Sequence, residues 1–236
     1  MAGEHPLHLE QPYLQFVETM AQALDARDPY TAGHSIRVAE YSYGIALGLG
    51  LNESQARTIR IAAQLHDIGK IGMPDAILQK REQLTREEFS FIKLHPQIGR
   101  RILERVAGFD KYLSVVELHH ENVDGSGYPY GISGHQIPLE ARIVRVADAF
   151  DAMTSDRSYR PRGTEDWARQ QIIEFSGRHF DRMVASTFLK LGAEERFRVI
   201  GDVMPAPTLA HIRPASQMQH LLQLSDVLAE TATARR

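Results

Sequence analysis

Residues 139–154 read LEARIVRVADAFDAMT and form the most hydrophobic helix that the sequence predicts. Its apolar side chains recur at three- and four-residue steps, which is the spacing of one helix face. Those side chains are Ile143, Val146, Ala147, Phe150 and Met153. Asp148 lies among them, and a buried carboxylate needs a counter-charge or a metal ion. The stretch therefore predicts a core helix that carries a paired or metal-bound carboxylate.

The same periodicity runs along most of the chain and predicts an all-α fold. Further helices are expected at about 31–48, 52–68, 85–95 and 110–120. A first helix is expected at 13–26, with an apolar face made by Tyr13, Phe16, Val17, Met20 and Leu24. Candidate strands are limited to short stretches near Gly131.

Capping and breaking residues mark several of the expected helix ends. Asn52 and Thr85 are each followed three residues later by Gln or Glu, the spacing of a capping box that opens a helix. Gly69 is expected to end the helix that begins after Asn52. Pro96 is expected to break or kink the chain just after His95.

The length of 236 residues suits one large domain with a small appendage. We expect an N-terminal helix or linker at 1–27, an all-α domain at 28–200 and a tail at 201–236 that contains an amphipathic helix. The leucine-rich face of this tail would pack on the domain, on a partner or on a second copy of the chain, which allows a homodimer.

Composition excludes several classes of protein and site. The formal net charge of −3 gives no overall attraction to nucleic acid polymers or anionic membranes. There is no cysteine, so disulfides and thiolate metal sites are excluded. No apolar run approaches the roughly 18 residues of a membrane span, and the N-terminus lacks an apolar signal region. A cytoplasmic protein without a membrane partner is therefore expected.

Five of the eleven histidines lie beside or inside motifs at helix ends: His34, His66, His95, His119 and His120. The other six are expected to be ordinary surface or core residues. Adjacent residues on a helix point about 100° apart, so both members of a pair reach one metal cluster only from near a helix end. The pairs at 66–67 and 119–120 meet this condition, because glycine follows each of them. Nitrogen and oxygen ligands of this kind suit Fe or Mn.

Four segments together resemble the HD-GYP family of metal-dependent phosphodiesterases, a branch of the HD superfamily. They are HDIGK at 66–70, HPQIG at 95–99, HHENVDGSGYP at 119–129 and ARIVRVADAFDAMTSDRSYR at 141–160. The resemblance covers residues 28–181, with the motifs in the family's order. It implies an HD-superfamily helical bundle, here with a helical C-terminal extension. It also implies hydrolysis of the bacterial second messenger cyclic di-GMP to linear pGpG, and in some members onward to GMP.

The resemblance also implies a site with two divalent metal ions, Fe or alternatively Mn, and a metal-bridging hydroxide as the nucleophile. The implied metal ligands are His34, His66, Asp67, His95, His119, His120 and Asp148. Asp67 would bridge the two ions. We expect the first ion to be held by His34, His66, Asp67 and Asp148. We expect the second ion to be held with the help of His95, His119 and His120.

Further roles follow from the same resemblance. Lys70 would contact the scissile phosphate or the hydroxide, which makes it catalytic together with Asp67. The implied substrate-binding residues are Lys70, Tyr128 of the GYP motif, Arg157 and Arg160. Apart from the resemblance, Asp151 and Asp124 are expected to support a ligand without contacting the metal. The alternative is that Asp151 only caps and that Asp124 caps a turn.

Three positions depart from the family's pattern. Tyr30 stands four residues before His34, where members with three metals carry a glutamate. Because a neutral phenol is a poor metal ligand, two metals are expected rather than three. Ser158 and Arg182 replace prolines that are usual in the family, and these changes would affect loop rigidity rather than the reaction.

Three functions remain open on the sequence alone. The first is an active cyclic di-GMP phosphodiesterase, which the intact set of ligands and the intact GYP motif favour. The second is a catalytically weak module that senses the dinucleotide or docks a diguanylate cyclase of the GGDEF type through GYP. The third is a phosphohydrolase of the HD superfamily that acts on another cyclic dinucleotide.

Overall fold

A computed structural model describes the chain at residues 7–27, 33–80, 82–155 and 163–193. Ten α-helices lie in these ranges. They are α1 (Leu7–Arg27), α2 (His34–Gly48), α3 (Glu53–Leu65), α4 (Asp75–Leu78), α5 (Arg86–Ile92), α6 (His95–Leu103), α7 (Asp110–Leu118), α8 (Leu139–Thr154), α9 (Glu165–Glu174) and α10 (Arg182–Ala193). Short 3-10 helices lie at Ile68–Gly72 and Gly134–Gln136.

The all-α prediction is confirmed. Within the described ranges, β pairing is limited to one isolated bridge between Ser176 and Phe180, and the candidate strands near Gly131 are not formed. None of the helices described here combines the length and the apolarity needed to cross a bilayer. The described helices belong to a compact unit, Met1–Val203. The boundary expected near residue 200 and the helix expected in 201–236 lie outside the described residues and stay predictions.

The core is built around α2, which packs against both α3 and α8, while α3 also packs against α7. The apolar face expected for α8 is buried at Ile143, Val146, Ala147 and Phe150, and Met153 is partly buried. Full burial of a large apolar side chain of this kind stabilises the fold by about 1.5–3 kcal/mol. The helix that carries Asp148 is therefore held firmly at the centre of the molecule.

Both expected capping boxes are confirmed. The Asn52 side chain accepts a hydrogen bond from Gln55 N at 3.0 Å, and Gln55 Oε1 accepts one from Asn52 N at 3.0 Å. Thr85 and Glu88 make the same reciprocal pair at 3.2 and 2.7 Å. These bonds satisfy amide groups that the first turn of a helix leaves without partners, and so they fix the starts of α3 and α5.

The two expected helix breakers act differently from the prediction. The helix α3 ends at Leu65, before Gly69, which lies inside the 3-10 helix that follows. A Cβ atom on Gly69 would lie 1.9 Å from His95 O, so glycine is required there by the close approach of this turn to α6. Pro96 does not break the chain after His95 but lies in the first turn of α6. An amide N–H in the first turn of a helix has no acceptor within that helix, so the missing N–H of Pro96 costs no hydrogen bond.

The apolar face predicted for α1 is partly wrong. Phe16 is 60% exposed, whereas Val17, Ala21 and Leu24 are buried. These three residues follow the four- and three-residue steps of a single stripe, and that stripe faces α2 and α3. Phe16 lies at the edge of the stripe because it is rotated by about 100° from Val17.

Candidate metal centre

The predicted metal ligands lie at helix ends, with one exception. His34 is the first residue of α2, and His95 is the first residue of α6. Residues 66–67 directly follow the last residue of α3, and residues 119–120 directly follow the last residue of α7. Asp148 lies in the middle of α8. The fold thus brings together side chains that are more than a hundred residues apart.

Asp67 lies between two groups of imidazoles. Its Oδ2 atom is 3.4 Å from His66 Nε2 and 3.8 Å from His34 Nε2. Its Oδ1 atom is 3.2 Å from His95 Nε2 and 4.0 Å from His119 Nε2. Two sets of residues result, and within each set the potential ligand atoms lie within 4.8 Å of one another. The first set is His34, His66 and Asp67, and the second is Asp67, His95, His119 and His120. The carboxylate of Asp67 thus belongs to both sets.

Asp148 borders the first of these sets. Its Oδ1 atom is 3.4 Å from His34 Nε2 and 4.0 Å from His66 Nε2. Its Oδ2 atom is 4.0 Å from His120 Nδ1, on the other side of the cluster. All seven side chains that were predicted as ligands are therefore found in one place.

Helix geometry orients three of the imidazoles. The Nδ1–H groups of His66, His95 and His119 each donate to the carbonyl oxygen three residues earlier, at 2.6, 2.7 and 3.0 Å. Carbonyl groups at a helix C-terminus or in a tight turn have no partner within the helix, so they are available to accept these bonds. Because a carbonyl can only accept, Nδ1 carries a proton in each ring and Nε2 faces the cluster.

His34 is oriented by a carboxylate instead. Its Nδ1–H donates to Asp151 Oδ2 at 2.7 Å, and Arg37 donates to the two Asp151 oxygens at 2.6 and 3.0 Å. Burial would raise the pKa of Asp151, but the hydrogen bonds from His34 and Arg37 lower it to about 2. The carboxylate is therefore ionised at neutral pH, and it accepts the hydrogen bond of His34 on the side of the ring that faces away from the cluster. This contact is the kind of support that was expected of Asp151.

The electrostatics of the cluster suit a bound cation. Burial would lower the pKa of His66, but the charges of Asp67 and Asp148 raise it to about 9, so positive charge is favoured at this point. Burial and the neighbouring imidazoles hold the pKa of His119 and of His120 well below the usual range, which keeps both rings neutral. Their lone pairs are therefore free to bind a metal at neutral pH.

Two buried atoms at the centre lack hydrogen-bond partners among the described residues. They are His66 Nε2 and Asp67 Oδ1. Leaving a buried polar atom unpaired costs about 1–3 kcal/mol, and native structures rarely do so without a reason. A divalent ion would satisfy both atoms, and the nitrogen and oxygen donors fit Fe or Mn. The residues present therefore fit a metal centre.

A cavity of about 490 Å³ opens beside the cluster, and Asp67, Lys70, His120, Tyr128 and Arg145 are among the residues that line it. Lys70 Nζ donates to Asp67 Oδ2 at 2.5 Å. The ring of Tyr128 stacks on His120, with 4.6 Å between the ring centroids. Burial raises the pKa of Tyr128, so its hydroxyl keeps its proton at neutral pH.

The turn at 119–129 holds Tyr128 in this position. Glu121 Oε1 accepts hydrogen bonds from Tyr130 N at 2.7 Å and Gly131 N at 3.1 Å, directly after the GYP motif. A Cβ atom on Gly127 would lie 2.3 Å from Asn122 N, so only glycine allows the chain to fold back here. The turn therefore brings Tyr128 back over His120.

Two roles were expected for Asp124, support of a ligand or capping of a turn. The contacts that Asp124 makes are those of a turn cap. Its Oδ1 atom accepts from Ser126 N at 2.9 Å and from Ser126 Oγ at 2.6 Å. Asp124 is exposed, and it makes no hydrogen bond to any of the predicted ligands within the described ranges.

Arg145 also lines the cavity, and it is not among the site residues predicted from the sequence. Arg145 lies three residues before Asp148 on α8, so the two residues share a helix face, and this spacing could have revealed it. Four residues with expected roles lie outside the described ranges, and those roles stay predictions: Tyr30, Arg157, Ser158 and Arg160.

Comparison with known proteins identifies the family to which this chain belongs. A family model described as HD domain matches residues 18–184. The chain is 39% identical over 186 residues to "Cyclic di-GMP phosphodiesterase response regulator RpfG" of Xanthomonas campestris pv. campestris, covering 77% of this chain and 49% of the relative. It is 43% identical over 196 residues to "Cyclic di-GMP phosphodiesterase" of Thermotoga maritima, covering 82% and 53%. The chain thus spans about half the length of these curated relatives.

A third relative has a different named substrate. The chain is 41% identical over 155 residues to "3'3'-cGAMP-specific phosphodiesterase 3" of Vibrio cholerae serotype O1, covering 65% of this chain and 34% of the relative. Similarity at this level is therefore compatible with more than one cyclic dinucleotide.

Two solved structures share the fold. The crystal structure of the cyclic GMP-AMP specific phosphodiesterase V-cGAP3 of V. cholerae aligns with a TM-score of 0.62 and 18% identity, covering 84% of this chain and 54% of that chain. Bd1817, an HDG"Y"P protein from Bdellovibrio bacteriovorus, aligns with a TM-score of 0.58 and 22% identity, covering 77% and 60%. The helices, the order of the motifs and the family match agree, and the chain belongs to the HD domain family, in its HD-GYP branch.

Proposed function

We propose that this domain is a metal-dependent phosphodiesterase that hydrolyses cyclic di-GMP to pGpG, with GMP as a possible second product. The observation that carries the proposal is the position of Asp67, shared between two groups of imidazoles at the edge of a cavity that also contains Lys70. The names of the relatives from X. campestris and T. maritima support the choice of substrate.

Two divalent ions, Fe or alternatively Mn, would be held by the residues of the cluster. His34, His66 and Asp148 would hold one ion, and His95, His119 and His120 would hold the other, with Asp67 shared by both. When bound, such ions supply a water molecule activated near neutral pH and positive charge for the phosphoryl oxygens. The role of Asp151 is to fix His34 so that its Nε2 atom faces the ion.

The local charge would favour an anionic substrate. Two divalent ions and the two carboxylates of Asp67 and Asp148 give a local charge of about +2, although the whole chain is acidic. Lys70 adds a cation at the cavity wall. A cyclic dinucleotide with two phosphodiester groups is therefore attracted by the site rather than by the protein as a whole.

Lys70 and Tyr128 would act directly on the substrate. The ammonium group of Lys70 lies within hydrogen-bond distance of Asp67, so it would neutralise the charge that develops on a phosphoryl oxygen next to the ions. Tyr128 would form a wall for the substrate and donate its hydroxyl proton in a hydrogen bond. Arg157 and Arg160 would bind the phosphate groups with forked hydrogen bonds.

A turnover experiment tests the proposal. The protein is purified without oxygen, its metal is counted, and it is incubated with cyclic di-GMP, 3'3'-cGAMP or cyclic di-AMP under Fe(II) or Mn(II). We expect two metal ions per chain and pGpG as the product separated by chromatography. Asp67→Asn and His66→Ala should lose metal and turnover together, whereas the matched control His135→Ala, at an exposed position, should lose neither. Absence of metal-dependent cleavage of every dinucleotide would reject the proposal.

Cleavage of 3'3'-cGAMP is the second candidate function, which the relative from V. cholerae favours. The same experiment distinguishes the two, because the rates on the separate substrates are compared directly. Docking of a GGDEF-type diguanylate cyclase through the GYP turn, dimer formation through the tail and a cytoplasmic location stay predictions.

A further inference from the structure

Arg145 is a cation of the cavity wall that forms no salt bridge within the described residues. Its Nε–H donates to Asn122 Oδ1 at 3.1 Å. Within the described parts of the chain, the two terminal nitrogens make no hydrogen bond, and no carboxylate oxygen lies within 4.0 Å of the guanidinium. A guanidinium carries five N–H donors in a planar fork, so four of them remain available. Lys70, the other cation of this wall, is already paired with Asp67.

The guanidinium is held in place from two sides. Asn122 is buried, and its Nδ2 atom donates to Ser126 Oγ at 2.9 Å, so its carbonyl oxygen is directed at Arg145. The ring of Phe180 lies against the other side, with 5.4 Å between Arg145 Cζ and the ring centroid. A guanidinium that is fixed in advance loses little side-chain entropy when it binds a ligand.

The position of Arg145 points to an anionic ligand. Forked N–H groups match the paired oxygens of a phosphate, and charge-assisted bonds of this kind are stronger where water is partly excluded. Arg145 lines the same cavity as Lys70, His120 and Tyr128, so an anion bound there would lie beside the metal cluster. The cavity volume of about 490 Å³ lies within the range of small-molecule sites.

We propose that Arg145 is a substrate-binding residue, whose terminal nitrogens bind a phosphate group of the cyclic dinucleotide. The identity of the substrate rests on the proposed function. The binding of a phosphate does not, because inorganic phosphate presents the same oxygens. The rival explanation is that Arg145 only balances the charge of Asp148, which lies one helical turn away on α8.

The experiment uses the full metal-loaded chain and the variants Arg145→Gln and Arg145→Lys. Inorganic phosphate is titrated by calorimetry, and KM and kcat are measured for cyclic di-GMP. We expect Arg145→Gln to weaken phosphate binding and to raise KM roughly 10-fold to 100-fold, with a much smaller change in kcat. Arg145→Lys should give values between those of the starting protein and Arg145→Gln. Lysine keeps the positive charge but cannot form the forked pair of hydrogen bonds. The matched control Arg105→Gln removes an exposed arginine outside the cavity and should change neither value.

Metal content and thermal unfolding are measured on every variant. Unchanged phosphate affinity in a folded, metal-loaded Arg145→Gln protein would overturn the proposal. Loss of metal together with affinity would also overturn it, because Arg145 would then act through Asp148. A raised KM with unchanged phosphate affinity would indicate a contact to the base and would overturn the phosphate assignment.

The proposed function can fail separately. If the starting protein binds phosphate but cleaves no cyclic dinucleotide, the proposed reaction is rejected, while the phosphate titration still decides the role of Arg145. If the starting protein binds no phosphate at all, the assignment of Arg145 is rejected.

Discussion

At the scale of single residues, the geometry of the centre depends on hydrogen bonds to the imidazole nitrogens that face away from the cluster. The buried carboxylate of Asp151 holds His34 across a separation of 117 residues and is itself held by Arg37. Three other imidazoles are held by backbone carbonyls of their own helices or turns. Each support keeps a proton on Nδ1, so Nε2, the predicted metal-binding nitrogen, is directed at the cluster before any ion binds.

Gly69 supports the centre in a different way, by the absence of a side chain. Gly69→Ala would place a Cβ atom 1.9 Å from His95 O and 2.5 Å from Gly99 N, so the turn would have to move away from α6. We expect a loss of about 3 kcal/mol in the free energy of unfolding, measured with denaturant, and weaker metal binding because His95 is displaced.

Gly72→Ala is the matched control for this prediction. It lies in the same 3-10 helix, and its added Cβ would meet only the side chain of Ile98, at 3.3 Å. A side chain can shift by a few tenths of an ångström, whereas a backbone held in a helix cannot. Equal stability of the two variants would contradict the explanation given for Gly69.

At the scale of elements, helix termini provide most of the site. The sequences of α3 and α7 end directly before the paired ligands, and α2 and α6 begin with a ligand. Termini are suited to this because their backbone groups still have bonding capacity. The helix α8 is the exception, and it can hold Asp148 in its middle because its flanking residues are fixed in the core.

The start of α10 depends on Asp181, which also links α10 to α8. Asp181 Oδ1 accepts from Met183 N at 2.8 Å and Val184 N at 3.2 Å, and Oδ2 accepts from Arg142. Burial would raise the pKa of Asp181, but the bonds from Val184 N and Arg142 lower it overall. A carboxyl with a lowered pKa stabilises the fold above its unfolded pKa of about 3.8, and this contribution is lost as the pH falls through the lower folded value.

Asp181→Asn should therefore lose about 2 kcal/mol of unfolding free energy at pH 7, since asparagine still caps a helix but carries no charge for Arg142. The difference from the starting protein should shrink as the pH falls below about 4. This difference is measured as the free energy of unfolding of both proteins, treated with chelator, at pH values between 7 and 3. Glu82→Gln, at an exposed acid, is the control. A difference that stays constant with pH would contradict this account.

At the scale of the whole molecule, the centre connects distant parts of the chain. Its predicted ligands come from residues 34 to 148 and from the ends or middle of α2, α3, α6, α7 and α8. Because an unfolded chain cannot present these atoms together, metal binding at this centre would be coupled to folding. A metal that binds only the folded state stabilises it by about 2.7 kcal/mol when its free concentration is 100 times Kd.

Removal of metal should therefore lower the thermal midpoint of the whole unit. We expect chelation to shift the midpoint of the starting protein downward and Mn(II) to restore it, as measured by calorimetry. His66→Ala should show no shift on chelation, whereas His135→Ala should behave like the starting protein. A midpoint of the starting protein that is independent of metal would show that the centre is not coupled to folding.

The local features of this protein could be predicted from the order of its residues alone. Its three- and four-residue periodicity predicted the all-α fold, its capping boxes fixed the starts of α3 and α5, and its motifs identified seven side chains that the fold brings together. These features could be predicted because helix periodicity and capping depend on residues a few positions apart.

The way in which these helices and side chains meet became visible in the folded protein. Packing between helices places Asp67 between two groups of imidazoles, leaves Phe16 exposed and requires glycine at 69. It also brings the guanidinium of Arg145 to the cavity wall. Periodicity along one helix defines which face is apolar, but it contains no distance to another helix. The pattern within the chain therefore specified the ligands, and the packing of the helices set the geometry that would let them act together.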